Sequence, residues 1–239
     1  MGIIKSLKRG VKQALLSSGW DLHRVRDSHL VTALQLFNID LVVDVGANKG
    51  QFASDLRAHG YSGAMISIEP LADAHQMLFS AAGKDPNWRV LDRCAVGAHE
   101  GEIEINVAGN SASSSVLPML EACSNACPIS SYIGKEIVPI TTLDTIAAHY
   151  FGNAKKPFLK IDTQGYEWQV LDGAACVLPM ICGIQMEVSL VPLYEGQRLW
   201  LECIHRLENE GFVLWSMEPV FIDPSNGRTL QFDAVFFRI

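Results

Sequence analysis

The stretch Leu41-Val42-Val43-Asp44-Val45-Gly46-Ala47-Asn48-Lys49-Gly50-Gln51-Phe52 decides how this chain is read. An apolar, β-branched run from Leu41 to Val45, interrupted once by Asp44, ends in a turn with glycines four apart, and Gln51 to His59 opens a helix. That is a strand, a tight turn and a helix N-terminus. Gly46 and Gly50 let backbone approach a ligand where a Cβ would collide, and the free N–H groups of the helix start favour electronegative atoms. Asp44 is the anomaly. A carboxylate inside a buried strand is costly unless a donor meets it, and a ligand ammonium or hydroxyl would be such a donor.

Ala64-Met65-Ile66-Ser67-Ile68-Glu69 repeats the pattern of an apolar strand ending in an acid. An acid at the tip of the second strand is where a Rossmann-type fold grips a ribose diol. A glycine turn alone is as often structural, and Glu69 alone could be a solvated strand end. Both, in this order, favour a nucleoside-type cofactor. The spacing D-x-G-x-x-x-G is not the dinucleotide fingerprint; it resembles the first motif of S-adenosylmethionine-dependent methyltransferases.

The 239 residues, 49% hydrophobic and 19% charged, suit one sizeable domain and exclude wholesale disorder. No run approaches the length of a membrane-spanning helix. The six cysteines contain no C-x-x-C pair and read as reduced thiols, which with the absence of a secretory pattern gives the expectation of a cytoplasmic protein. Net charge is −7, yet up to Arg26 six basic residues stand against Asp21 alone. The acidic remainder is unsuited to a nucleic-acid backbone. Residues 1–40 are read as a basic amphipathic segment, with Ile3, Ile4, Leu7, Val11 and Leu15 at helical spacing. It could lie on the inner face of an anionic membrane or on a partner, although a short helix capping the domain is the preferred reading.

Within 41–239 the expected order begins with the two strands above, a helix over Ala72 to Ala82 and one strand from Trp88 to Val96. A half-exposed strand, Glu102 to Val107, follows. Ala108 to Gly134 is irregular and long enough to be a lid or substrate loop, with Asn110, Ser113, Ser114 and Ser115 as neutral partners for sugar hydroxyls. After a strand from Glu136 to Thr141 and a helix to Tyr150, Phe158 to Asp162 and Ile181 to Glu187 are further strands. Glu69, Asp162 and Glu187 then end three strands at one edge, the edge at which open α/β sheets bind ligands. Phe212 to Met217 and Gln231 to Arg238 are joined too closely for a crossover, so they should be antiparallel.

Together these stretches resemble the FkbM family of S-adenosylmethionine-dependent methyltransferases. The match runs from about Leu41 to Ile239 and rests on Asp44 to Phe52, Ser67-Ile68-Glu69-Pro70, Ala95-Val96-Gly97, Ser113-Ser114-Ser115 and, most diagnostically, Leu159-Lys160-Ile161-Asp162-Thr163-Gln164-Gly165-Tyr166-Glu167. Glu187 to Gln197 looks like the bacterial branch linked to sugar and cell-surface glycan methylation. The resemblance implies an α/β Rossmann-like class I fold: a mostly parallel seven-stranded sheet, an antiparallel last strand and helices on both faces. It implies S-adenosylmethionine held by Asp44, Gly46, Asn48, Gly50, Glu69 and Ala95, although Cys94 replaces the polar residue expected near the adenine. Gln164, Glu167 and Tyr194 join the serines as candidates for acceptor contact.

Methyl transfer to a hydroxyl is an in-line displacement in which the acceptor must be aligned and its proton taken up. Asp162 is the candidate base, with Glu187 as partner and Lys160 tuning the pair. The same two acids would be the ligands if a divalent ion lowered the hydroxyl pKa, and the metal-free version is preferred. The acceptor is expected to be a sugar or glycolipid hydroxyl. A polyketide-type metabolite and a cofactor-binding protein without turnover are the alternatives. A nicotinamide-dependent reductase of the Tyr-x-x-x-Lys kind is excluded, because none of the five tyrosines has a lysine four residues on. Nothing in the sequence sets the oligomeric state.

Overall fold

Leu41–Val45 (β1) lies in the interior of a seven-stranded sheet and is buried along its whole length. The computed structural model describes residues 28–239. The basic amphipathic reading of the N-terminus rests on residues outside them. On the described chain, Ser28 caps a helix, His29–Leu36 (α1), whose Val31, Ala33 and Leu34 pack into the same core as Val42 of β1.

β1 is followed by Gln51–Ala58 (α2), Ala64–Ile68 (β2), Ala72–Ala82 (α3) and Trp88–Val90 (β3). The later core elements are Leu143–Tyr150 (α5), Pro157–Ile161 (β7), Glu167–Asp172 (α6), Gly183–Ser189 (β8), Trp200–Asn209 (α7), Val213–Ile222 (β9) and Thr229–Phe237 (β10). The strands lie in the order β3-β2-β1-β7-β8-β10-β9. β10 alone runs against its neighbours, antiparallel to β8 and to β9, as the short final connection requires. Leu41, Val43 and Val45 face a core built with α5, α6 and α7, while Val42 faces one built with α1, α2 and α3. Helices on both faces are why β1 reads as an apolar run with Asp44 as its one polar residue.

Two expectations are corrected. Trp88 to Val96 is not one strand: Trp88–Val90 pairs with β2, then the chain turns through the polar Asp92-Arg93 and Ala95–Val96 (β4) enters a separate sheet. That sheet has the order β4-β6-β5, with Gly101–Ala108 (β5) and Tyr132–Thr141 (β6) as an antiparallel pair. Nor is Ala108 to Gly134 a free loop. It holds a short helix, Glu121–Ala126 (α4), and a 3-10 turn at Pro128–Ser130, and it is tied down by a bridge from Asn106 to Ser115 and another from Met119 to Tyr194. No helix among the described residues is long and apolar enough to cross a membrane.

Candidate active site

The carboxyl ends of β1, β2 and β7, with Gln185 of β8 and Asp233 of β10, meet the β4–β5–β6 sheet around a cavity of about 260 Å3. Its floor is the turn after β1. Gly46 adopts φ 75°, and a Cβ there would stand 1.8 Å from the Asp162 carbonyl oxygen. The glycine is thus demanded by the chain leaving β7, whose Asp162 N–H donates to the Val45 carbonyl, and it also lines the cavity, as the sequence suggested. Gly50, also left-handed at φ 86°, does not line the cavity; its missing Cβ accommodates Leu78 and Trp88 on the opposite side. Its role is to start α2.

Asp44 is fully buried beneath this floor and does not line the cavity. The donor it requires comes from the protein. Parallel register sets Asp44 between Ser67 on β2 and Lys160 on β7. Lys160 Nζ lies 3.0 Å from Asp44 Oδ1, close as an ion though not aligned as a hydrogen bond, and Ser67 donates to Oδ2 at 3.4 Å. Burial raises the Asp44 carboxyl pKa and the lysine opposes that rise. Burial likewise works against the Lys160 charge, but Asp44 and Asp162 outweigh it and the lysine pKa is raised. Lys160 also donates to the Gly46 carbonyl at 2.9 Å, so one ammonium clamps the strand beneath the turn.

Glu69 forms the wall at the end of β2. Its Oε2 accepts from the Asn48 N–H and its Oε1 from the Leu71 N–H, both at 2.8 Å, and burial pushes its carboxyl up to about 7 despite those donors. Each oxygen keeps a lone pair beyond these bonds. Asn48, itself left-handed at φ 46°, reaches through its side chain to Ser111 Oγ at 3.3 Å. Ala95, with Cys94, Val96, Ile105 and Val116, supplies an apolar end.

Asp162 opens into the cavity with 34% side-chain exposure, 3.5 Å from Lys160 Nζ. Gln164, in a left-handed conformation at φ 53°, donates through Nε2 to Asp162 Oδ1 and to Glu187 Oε2, both at 2.8 Å. Tyr194 donates to Gln164 Oε1 at 2.7 Å, which fixes the amide orientation. Glu187 therefore does not stand beside Asp162 as a second cavity acid: it lies behind Gln164, outside the lining, with Gln231 also donating to it, and its pKa is raised by burial and by Asp162 and Glu167. An NH2 group between the two acids is a donor set for carboxylates, not the oxygen cage a divalent ion takes. Among the described residues no cluster of three metal-ligating side chains occurs.

Of the acceptor candidates, Ser114, Ser115 and Gln164 line the cavity. Asn110 and Ser113 do not; they bond to each other, the Asn110 amide donating to Ser113 Oγ at 2.9 Å. Tyr194, 1% exposed, serves Gln164 from below. Glu167 is turned inward, where Oε1 accepts from the Thr163 and Gly165 N–H groups at 2.9 and 3.0 Å, so it shapes the Thr163–Gly165 turn and does not line the cavity. Burial pushes it up to about 7.

Gln185 and Asp233 line the cavity and were missed in the sequence. The signal was present: each is a polar residue inside an apolar strand, the same anomaly that singled out Asp44. Gln185 donates to Asp233 Oδ2 at 2.9 Å, and burial, then Asp162, raises the Asp233 carboxyl to about 6.

A family model described as the methyltransferase FkbM domain matches residues 44–214. Among solved structures, an rRNA methylase from Streptococcus thermophilus is 10% identical over 91% of this chain and 99% of its own, with TM-score 0.47. Magnesium protoporphyrin IX methyltransferase from Synechocystis PCC 6803, solved with bound SAM, is 9% identical over 98% and 82%, with TM-score 0.45. LepI, solved in complex with SAM, is 14% identical over 84% of this chain, with TM-score 0.40; the chain spans only 43% of LepI. No curated protein matches the sequence.

Proposed function

The chain belongs to the FkbM methyltransferase family and is an S-adenosylmethionine-dependent methyltransferase, and from that premise we propose that it methylates a hydroxyl group of a sugar, glycan or glycolipid. The cavity suits the cofactor chemically. Glu69 keeps lone pairs for a ribose diol, the Ala95, Ile105 and Val116 end is apolar enough for a purine, and Asp44, Lys160 and Asp162 together leave a net negative charge for a cationic ligand. When bound, S-adenosylmethionine supplies an electrophilic methyl group.

The chain's own residues would do the rest. Asp162 accepts the hydroxyl proton through its cavity-facing carboxylate, oriented by Gln164 and Lys160. The hydroxyls of Ser111 and Ser114 and the amide of Asn48 offer neutral partners around it. The observation that carries the reading is the Asp162 carboxylate, open to the cavity and positioned by Gln164 and Lys160, with the hydroxyls of Ser111 and Ser114 on the same lining. Measuring S-adenosylhomocysteine release with neutral glycans and with polyketide-type alcohols tests it. Turnover on the second class alone would overturn the carbohydrate assignment.

A further inference from the structure

The sheet face beneath α2 carries polar side chains that strand register sets in a row. Ser67, Asp44, Lys160 and Gln185 stand side by side on β2, β1, β7 and β8. On β10 the register partner of Gln185 is Val235, and Asp233, two residues away opposite Glu187, joins the row through its bond from Gln185, with Glu218 its own register partner on β9. Under the cofactor cavity this row is buried and internally paired. At its other end it opens into a second cavity of about 440 Å3 between α1, α2 and the last two strands. Phe52, Gln185 and Asp233 line both cavities, so the two share a wall.

That wall holds unmet hydrogen-bonding capacity. Gln185 is only 7% exposed, and its Nε2 is engaged by Asp233 Oδ2. Among the described residues no donor meets Gln185 Oε1 or Asp233 Oδ1. Both oxygens can accept from a hydroxyl or ammonium group in the cavity. The second cavity also has a definite charge. Among the described residues, Asp55, Glu218 and Asp233 line it with two histidines, His29 and His59, and no lysine or arginine does, while Phe52 offers an aromatic face. An anion there would meet three carboxylates; a ring with hydroxyl or ammonium groups would find acceptors and an apolar surface.

We propose that the second cavity holds the body of the acceptor while its reacting hydroxyl crosses the shared wall to Asp162, with Gln185 and Asp233 as positioning residues, and that the acceptor is a neutral or amino-bearing polyhydroxyl compound, not an anionic one. This rests on the carbohydrate reading above and narrows it. The first cavity then keeps the cofactor, and the wall sets how deep the acceptor reaches.

The test uses the full chain, methyl-labelled at Leu and Val and saturated with S-adenosylhomocysteine, titrated in NMR with methyl glucoside, glucosamine and glucuronate. Leu30, Leu56 and Val235 border the second cavity, and their methyl signals should move with the first two sugars. Glucuronate should bind about tenfold or more weakly. Ser216→Trp, at a half-exposed strand position on the rim, should abolish the shifts and leave S-adenosylhomocysteine affinity unchanged. Glu218→Lys should improve glucuronate binding. Absent shifts with all three sugars, equal binding of glucuronate, or shifts that survive Ser216→Trp would each overturn the proposal. Shifts without methyl transfer to any carbohydrate would instead leave this cavity standing and remove the O-methylation reading.

Discussion

Gln164 donates to Asp162 Oδ1 at 2.8 Å from a backbone held at φ 53°, and the same amide nitrogen reaches Glu187 at 2.8 Å. A left-handed non-glycine residue is uncommon, and here it turns the amide back over the strand it has just left. One side chain thus orients the open acid and occupies the buried one. Asp162→Asn should keep the fold and the cofactor affinity and lose turnover by roughly 10²–10⁴-fold, the usual contribution of positioned proton transfer. Single-turnover kinetics with saturating cofactor measure it; near-normal rates would remove Asp162 as the base.

Glu69 can hold a ribose diol only as an acceptor, and burial pushes its carboxyl up to about 7. Two hydroxyl donors stabilise the charged form, so the bound pKa falls and affinity is gained as pH rises through 7 and lost below it. Calorimetry with S-adenosylhomocysteine should show weaker binding at pH 5.5 than at pH 8. Glu69→Ala should lower affinity by about 10- to 100-fold, the equivalent of one charge-assisted bond. A pH-independent affinity would place Glu69 outside the site.

Lys160 is the one cation within reach of Asp44 among the described residues. Lys160→Met leaves a fully buried carboxylate without its partner and releases the Gly46 carbonyl, and should cost about 3–5 kcal/mol of unfolding free energy. Urea denaturation decides this. Lys160→Met with Asp44→Leu should recover much of the loss, because replacing both partners removes the desolvated charge. A single variant as stable as the parent would show that the pair contributes nothing.

Glu167 is held near 7 against an ordinary 4.5. Between those values the folded protein keeps a proton that the unfolded chain has released, so this group's contribution to stability is present below about pH 4.5 and is lost as pH rises through 7. The full shift is worth roughly 3 kcal/mol. Glu167→Gln keeps an oxygen for the Thr163 and Gly165 N–H groups and removes the titration, so its melting temperature should fall less between pH 5 and pH 7.5 than that of the parent. Parallel curves would mean that the carboxyl does not titrate in that window.

Gly46→Ala sets its Cβ 1.8 Å from the Asp162 carbonyl oxygen with φ at 75°, a clash against backbone that no side-chain motion relieves. Cofactor binding should be lost together with several kcal/mol of stability. Gly134→Ala, with nothing within 4 Å, is the control and should be neutral. Normal cofactor affinity in the Gly46→Ala variant, measured by calorimetry, would show that the turn can shift.

The sequence by itself determined the elements that repeat a local pattern. The β1 turn, the acid ending β2 and the reversed last strand follow from hydrophobic period, glycine spacing and connection length, which act over a few residues, and the family was legible as a resemblance of short motifs, Leu159 to Glu167 above all. Only the tertiary structure decided which polar residues face a ligand and which face each other. Asp44 and Glu167 look like site acids in the sequence, yet Asp44 meets a lysine more than a hundred residues away and Glu167 folds back on its own turn. Gln185 and Asp233 look like core positions and line two cavities. The reason is register: pairing sets β1 against β7 and β8 against β10, and a buried carboxylate is satisfied by whatever donor that pairing delivers, which no local pattern records.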